Sequence, residues 1–157
     1  MASRPVVAGG LAGALLLATT LIGEFEGKSN DPYKDIVGVP TVCYGETRVP
    51  MRHYTDEECS RMLSEAAGEF QKEVLEVTPV LASHPYQLAA ATSLAYNIGI
   101  TNYKKSSART YFNSGNFREA CLRFAPWNKV KKNGVLKESR GLANRRSKET
   151  SVCLKGL

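Results

Sequence analysis

The chain has 157 residues, with 21 Lys and Arg against 15 Asp and Glu, for a formal charge of +6. That length fits one domain able to bury roughly 70% of its unfolded surface, so no second domain is required. The positive balance points to a polyanionic partner such as nucleic acid, anionic lipid or an acidic wall polymer. With no helix-turn-helix, RNP-like aromatic strand or zinc-finger spacing, nucleic acid is set aside.

From Pro5 to Gly23 no side chain is charged, a run of 19 residues, against about 20 for a helix that crosses a bilayer. Four Gly, four Ala, two Thr and one Pro dilute five Leu, two Val and one Ile. Such a segment is only marginally apolar and could both enter a membrane and leave it. A cleaved signal peptide would need a polar cleavage region before Glu24, and a permanent anchor would be richer in Leu, Ile and Phe. For a segment over 1–23 ahead of a domain over 24–157, three readings stay open at this point: a cleaved signal peptide, a permanent anchor, and a stretch that inserts and later escapes. The spacing Gly9-x-x-x-Gly13 lowers hydrophobicity further and eases release.

A helix of roughly Leu16 to Glu26 should end at Glu26. Apolar alternation is scarce outside Asp35 to Val49, so a small sheet is expected there. Thr55 with Glu58 forms a capping-box pattern, and the stripe Cys59, Met62, Leu63, Ala66, Phe70, Val74, Val77 predicts a helix running to Pro79. A small-residue helix follows between Pro85 and Gly99, then short helices from Ser106 to Asn113 and from Asn116 to before Pro126. The basic stretch Asn128 to Glu138 reads as an exposed loop or small hairpin, with a last helix over roughly Arg140 to Leu154. The fold class is α+β: a mostly helical, two-lobed domain with a small β-hairpin sheet and a cleft.

Four cysteines, Cys43, Cys59, Cys121 and Cys153, contain no C-x-x-C pair, so metal ligation is set aside and disulfides are expected in an exported domain. Of three possible pairings the favoured one is Cys43 with Cys59, tying hairpin to helix, and Cys121 with Cys153, tying two late helices. No cysteine lies in the N-terminal run, so release by thiol exchange from it is not supported. His53 and His84 have no partner pattern for metal or nucleophilic chemistry. No cofactor is expected.

The chemistry rests on Glu26, Asp35 nine residues on, and Thr41 six further. Glycosidic cleavage needs two carboxyls flanking the bond, one donating a proton to the leaving oxygen and one handling water or the cationic centre. Glu26, at a helix end beside Phe25, is the expected acid because lost hydration favours the neutral carboxyl. Asp35, on a more open turn, is the expected charged partner, and Thr41 would bond the same water. Tyr44, Asn97 and Asn102 are candidate sugar contacts. Trp127 reads as core, and Arg146 as a solvated cation.

The strings Phe25-Glu26-Gly27, Tyr33-x-Asp35-x-x-Gly38-x-x-Thr41-x-Cys43-Tyr44-Gly45, Tyr96-Asn97-Ile98-Gly99 and Gly141-Leu142-x-Asn144-Arg145-Arg146-x-x-Glu149 together resemble the phage-type lysozymes over roughly residues 20 to 155. Pro40 and Cys43 depart from what many members carry in the hairpin. The resemblance implies a muramidase acting on peptidoglycan with inversion, with Glu26, Asp35 and Thr41 catalytic and Arg145 paired to the catalytic Glu. It also implies a signal-arrest-release endolysin, held silent at the periplasmic side of the host inner membrane and then released, as a monomer, into the periplasm. A lytic transglycosylase, or a membrane-anchored wall-binding protein with a dead site, are the other readings.

Overall fold

In a computed structural model of the chain, residues 10–157 are described. Arg4, Gly9 and the start of the uncharged run lie outside them. Helix α1 spans Gly10–Glu26 and continues through the Gly23–Glu24 junction without a break. It is longer than the expected 16–26 because its small residues pack: Gly10, Ala14, Ala18, Leu21 and Ile22 repeat at three- and four-residue steps and are buried, whereas Leu16 is 69% exposed. A left-handed Gly27 (φ +71°) ends the helix. Among the described residues no helix is long and apolar enough to cross a membrane.

The chain next forms an antiparallel hairpin of β1 (Ser29–Lys34) and β2 (Pro40–Cys43), with Tyr33 opposite Thr41 and Ser29 opposite Cys43. The sheet thus begins before Asp35, earlier than the expected window. Strand β1, Ser-Asn-Asp-Pro-Tyr-Lys, has no apolar alternation because it is largely exposed and is held by its partner. Strand β2 carries the buried face: Val42 and Cys43 pack with Tyr54 and Cys59 as the core of the small lobe.

Helix α2 (Asp56–Val77) carries the expected capping box at Thr55 and Glu58. It buries Cys59, Leu63, Ala67, Gln71 and Val74, joining the two lobes through a cluster with Ile22 of α1. After a 3-10 turn (Pro79–Ser83), helix α3 (Pro85–Ile98) is buried on all sides from Gln87 to Ala95. Only a helix this small in side chain can be surrounded by α1, α2 and the last helix at once. Gly99 (φ +90°) turns the chain into a short α4 (Ile100–Lys105), which the sequence reading did not separate. Helices α5 (Ser107–Asn113) and α6 (Phe117–Leu122) follow, capped by Ser106 and Asn116. Leu81, Leu88, Leu94, Tyr103, Phe112 and Phe124 are fully buried in the large lobe.

The basic stretch forms a second hairpin, β3 (Lys129–Lys132) with β4 (Val135–Glu138). Asn133 and Gly134, both at positive φ, make its two-residue turn. Helix α7 (Arg140–Cys153) closes the chain against α3, capped by Ser139. Disulfides join Cys43 to Cys59 and Cys121 to Cys153, tying β2 to α2 and α6 to α7. The architecture is α+β and two-lobed, mostly helical, with two small hairpins.

Candidate active site

Glu26 is the final residue of α1, so the helix that is packed from Gly10 onward fixes where its carboxyl stands. Its side chain is 26% exposed, and Oε2 accepts from Arg145 Nη1 at 2.8 Å. Every edge of the Arg145 guanidinium is engaged: Nε donates to Glu149 Oε2 (3.3 Å) and Nη2 to the Ser93 carbonyl (3.3 Å). The Phe25 ring lies beneath it, 5.5 Å from the guanidinium carbon. On the other side stands Gly45, where a Cβ would come within 3.8 Å of Glu26 Oε1. Its φ of +95° is the stronger reason for glycine.

Asp35 occupies the turn between β1 and β2. Its Oδ1 accepts from the Val37 and Val39 amides, both at 2.9 Å, while the turn closes through Gly38 N–H to the Asp35 carbonyl. Thr41 is buried on β2 and donates its hydroxyl to the Val39 carbonyl at 2.9 Å. Asp35 and Thr41 are thus coupled through one residue, Val39, which bonds to both.

A groove of about 350 Å³ opens beside Gly45, between the loop after β2 and the α2 and α3 helices, lined by Glu46, Met62, Glu69, Phe70 and Tyr96. Burial pushes the Glu46 carboxyl up, opposed by Arg48 and reinforced by Glu69 and Glu65. Burial also pushes the Tyr96 phenol up to about 12, with the Glu26 and Glu46 carboxylates adding to it. A second hollow of about 500 Å³ is lined by Asn97, Asn102, Trp127, Lys129 and Leu136. Asn102 donates there to the Ile98 carbonyl at 2.8 Å. Trp127 is half-buried, on the edge of the large core and in the wall of this hollow. Tyr44 lies instead against Ile22 and Leu63, and lines a hollow on the outer side of α1.

Arg146 corrects the sequence reading: expected in solvent, it is 1% exposed. Burial lowers its pKa, while Glu149 acts in the opposite direction. Glu149, fully buried and bonded to Arg145, is the neighbour of the Glu26 pair that residue-by-residue reading did not single out. The available signal was spacing, since Arg145 and Arg146 lie four and three residues before Glu149, the two steps that bring helical side chains together.

A family model, phage lysozyme, matches residues 23–149. The SAR-endolysin of Pseudomonas phage phiKMV is 37% identical over 97% of this chain and 92% of its own length. Among solved structures, an endolysin from Escherichia coli O157:H7 phage FAHEc1 is 29% identical and superposes with a TM-score of 0.80, covering 90% of this chain and 92% of that one. The active form of the P1 phage endolysin Lyz is 26% identical with a TM-score of 0.75, covering 97% and 93%. Joined to a two-lobed fold with a half-buried glutamate beside Gly45 of its groove, these matches mean that the chain belongs to the phage lysozyme family and is a glycoside hydrolase of the lysozyme type.

Proposed function

We propose that this endolysin hydrolyses the β-1,4 bond between N-acetylmuramic acid and N-acetylglucosamine in peptidoglycan, with Glu26 as acid and Asp35 and Thr41 as the water site. Glu26 gives its proton to the leaving glucosamine oxygen as the bond to muramic acid C1 breaks. Water, oriented by Asp35 and the Thr41 hydroxyl, attacks C1 from the opposite face and yields its proton to Asp35, with inversion. Arg145 holds Glu26 beside Gly45 of the groove. Tyr44, Asn97 and Asn102 are the candidate sugar contacts, of which the two asparagines line a hollow large enough for a sugar or peptide substituent. The observation that carries this reading is the Glu26 carboxyl, set at a helix end, bonded to a buried guanidinium and adjoining a groove.

The N-terminal segment supplies the control. Residues 10–22 of α1 pack into the domain and the same helix presents Glu26, so drawing that segment into lipid removes the support that sets the acid in place. Two comparisons favour this: several relatives are named SAR-endolysins, and the fold here overlies the active form of P1 Lyz along nearly its whole length. On this reading the enzyme is tethered at the periplasmic side of the inner membrane, silent, and works in the periplasm as a monomer once released.

The test is turbidity clearing of permeabilised cells by wild type and Glu26→Gln, with mass spectrometry of the glycan ends. Wild type should clear and leave reducing ends, and Glu26→Gln should be inert. Equal clearing by both would reduce the protein to a wall binder, and anhydro-muramyl ends would make it a lytic transglycosylase.

A further inference from the structure

The ion pair at Glu26 is the outer end of a larger buried charge cluster. Glu149, fully buried on α7, has Oε2 bonded to Ser93 Oγ at 2.5 Å, to Arg145 Nε at 3.3 Å and to Arg146 Nη2 at 3.2 Å. Its Oε1 lies 2.7 Å from Arg146 Nε, a charge contact whose geometry is not that of a hydrogen bond. Arg146 Nη1 donates in turn to the Trp127 carbonyl at 3.0 Å. Two guanidiniums and one carboxylate are therefore shut in the interior, and buried charges persist only where they offset one another.

The sum matters for the acid. With Glu26 protonated, as proton donation requires, the four groups carry a net +1; with Glu26 ionised they carry zero. Without the Glu149 charge the two guanidiniums would leave +2 facing Glu26, and an excess of positive charge favours the carboxylate form. The other charges near Glu26 are common to every variant compared below. Tyr96 of α3 is neutral across the range where lysozymes are assayed, and Glu46, on the loop beside Gly45, is the same in every comparison below.

We propose that Glu149 is a positioning residue of the reaction. It occupies the Nε edge of Arg145, so that Nη1 is left pointing at Glu26, and its charge offsets one of the two guanidiniums buried behind the acid. Arg146 is the counterweight: it holds Glu149 in place and ties the cluster to the Trp127 wall of the second hollow.

This rests on Glu26 being the acid, and the test separates the two ideas. Reducing-end release from isolated peptidoglycan is followed against pH for the full-length wild type, Glu149→Gln, Arg146→Gln and the double variant, with near-ultraviolet circular dichroism to verify folding. In Glu149→Gln the alkaline limb of kcat/KM should move down by about one pH unit, the scale of a single close charge, so that lost activity returns on acidification. In Arg146→Gln the limb should move up, and in the double variant, where one charge of each sign is gone, it should return toward wild type. Should Glu149→Gln not fold, the upward displacement in Arg146→Gln decides alone. Activity lost equally at every pH, with the limbs unmoved, would make the cluster purely structural and overturn the proposal. An active Glu26→Gln would instead overturn the assignment of the acid beneath it.

Discussion

At the scale of single residues, the two carboxyls are built in opposite ways. Glu26 is held by a charge, the Arg145 guanidinium, at the end of a helix, while Asp35 is held by two peptide amides of its own turn. This makes Asp35→Asn a clean probe. The asparagine carbonyl can accept the same two N–H bonds, so the hairpin and the melting temperature should change little. On the proposed mechanism, loss of this charge should lower hydrolysis by about 10²–10⁴-fold. A large fall in stability with activity loss in proportion would instead make Asp35 a turn residue. Both carboxyls were singled out from the sequence because their motif lies within one short stretch. Arg146 could not, because whether a basic side chain meets solvent or a buried Glu149 depends on what packs over its helix face.

Among the elements, α2 shows how local rules carry the lobe junction. Thr55 Oγ1 accepts from the Glu58 amide at 3.1 Å, and Glu58 Oε1 accepts from the Thr55 amide at 2.9 Å. That backbone bond, with the Arg52 guanidinium as second cause, draws the Glu58 pKa down from 4.5 to about 2. A depressed carboxylate adds stability that is fully present above the unfolded value and is lost as pH falls through the folded one. The contribution of Glu58 should therefore fade between about pH 4.5 and about 2. Thr55→Ala should cost about 1 kcal/mol at neutral pH, read by urea denaturation, and an unchanged midpoint would mean that the cap is idle. Helix starts and stops such as this one, Pro85 and Gly99 are written in short-range chemistry and were legible. Strand β1 was not, since an exposed strand held by its neighbour carries little pattern of its own.

Across the whole molecule, α1 is the element that cannot serve two environments at once. Its small face is buried against α2 and α3, and its last residue is Glu26, so the same stretch cannot also lie in a bilayer with the fold complete. In fractionated cells the full-length protein should accordingly be membrane-bound and inactive before the membrane potential is collapsed. Afterwards it should be soluble and active at unchanged mass. Activity in the membrane fraction, or a shortened soluble form, would remove the tethering account. The disulfides Cys43–Cys59 and Cys121–Cys153 involve no residue of α1, so that helix offers nothing for thiol exchange to act on. By itself the sequence determined most of the helices with their caps, the stretch that carries the acid motif and a weakly apolar N-terminal run, all of which follow from neighbours a few positions apart. Only the tertiary structure decided that residues 10–22 of this run fold into the wall of the domain, and that Glu149 and Arg146 stand behind the Glu26 pair. The physical reason is that burial and charge compensation are properties of segments brought together from α1, α3 and α7, which are distant in the chain.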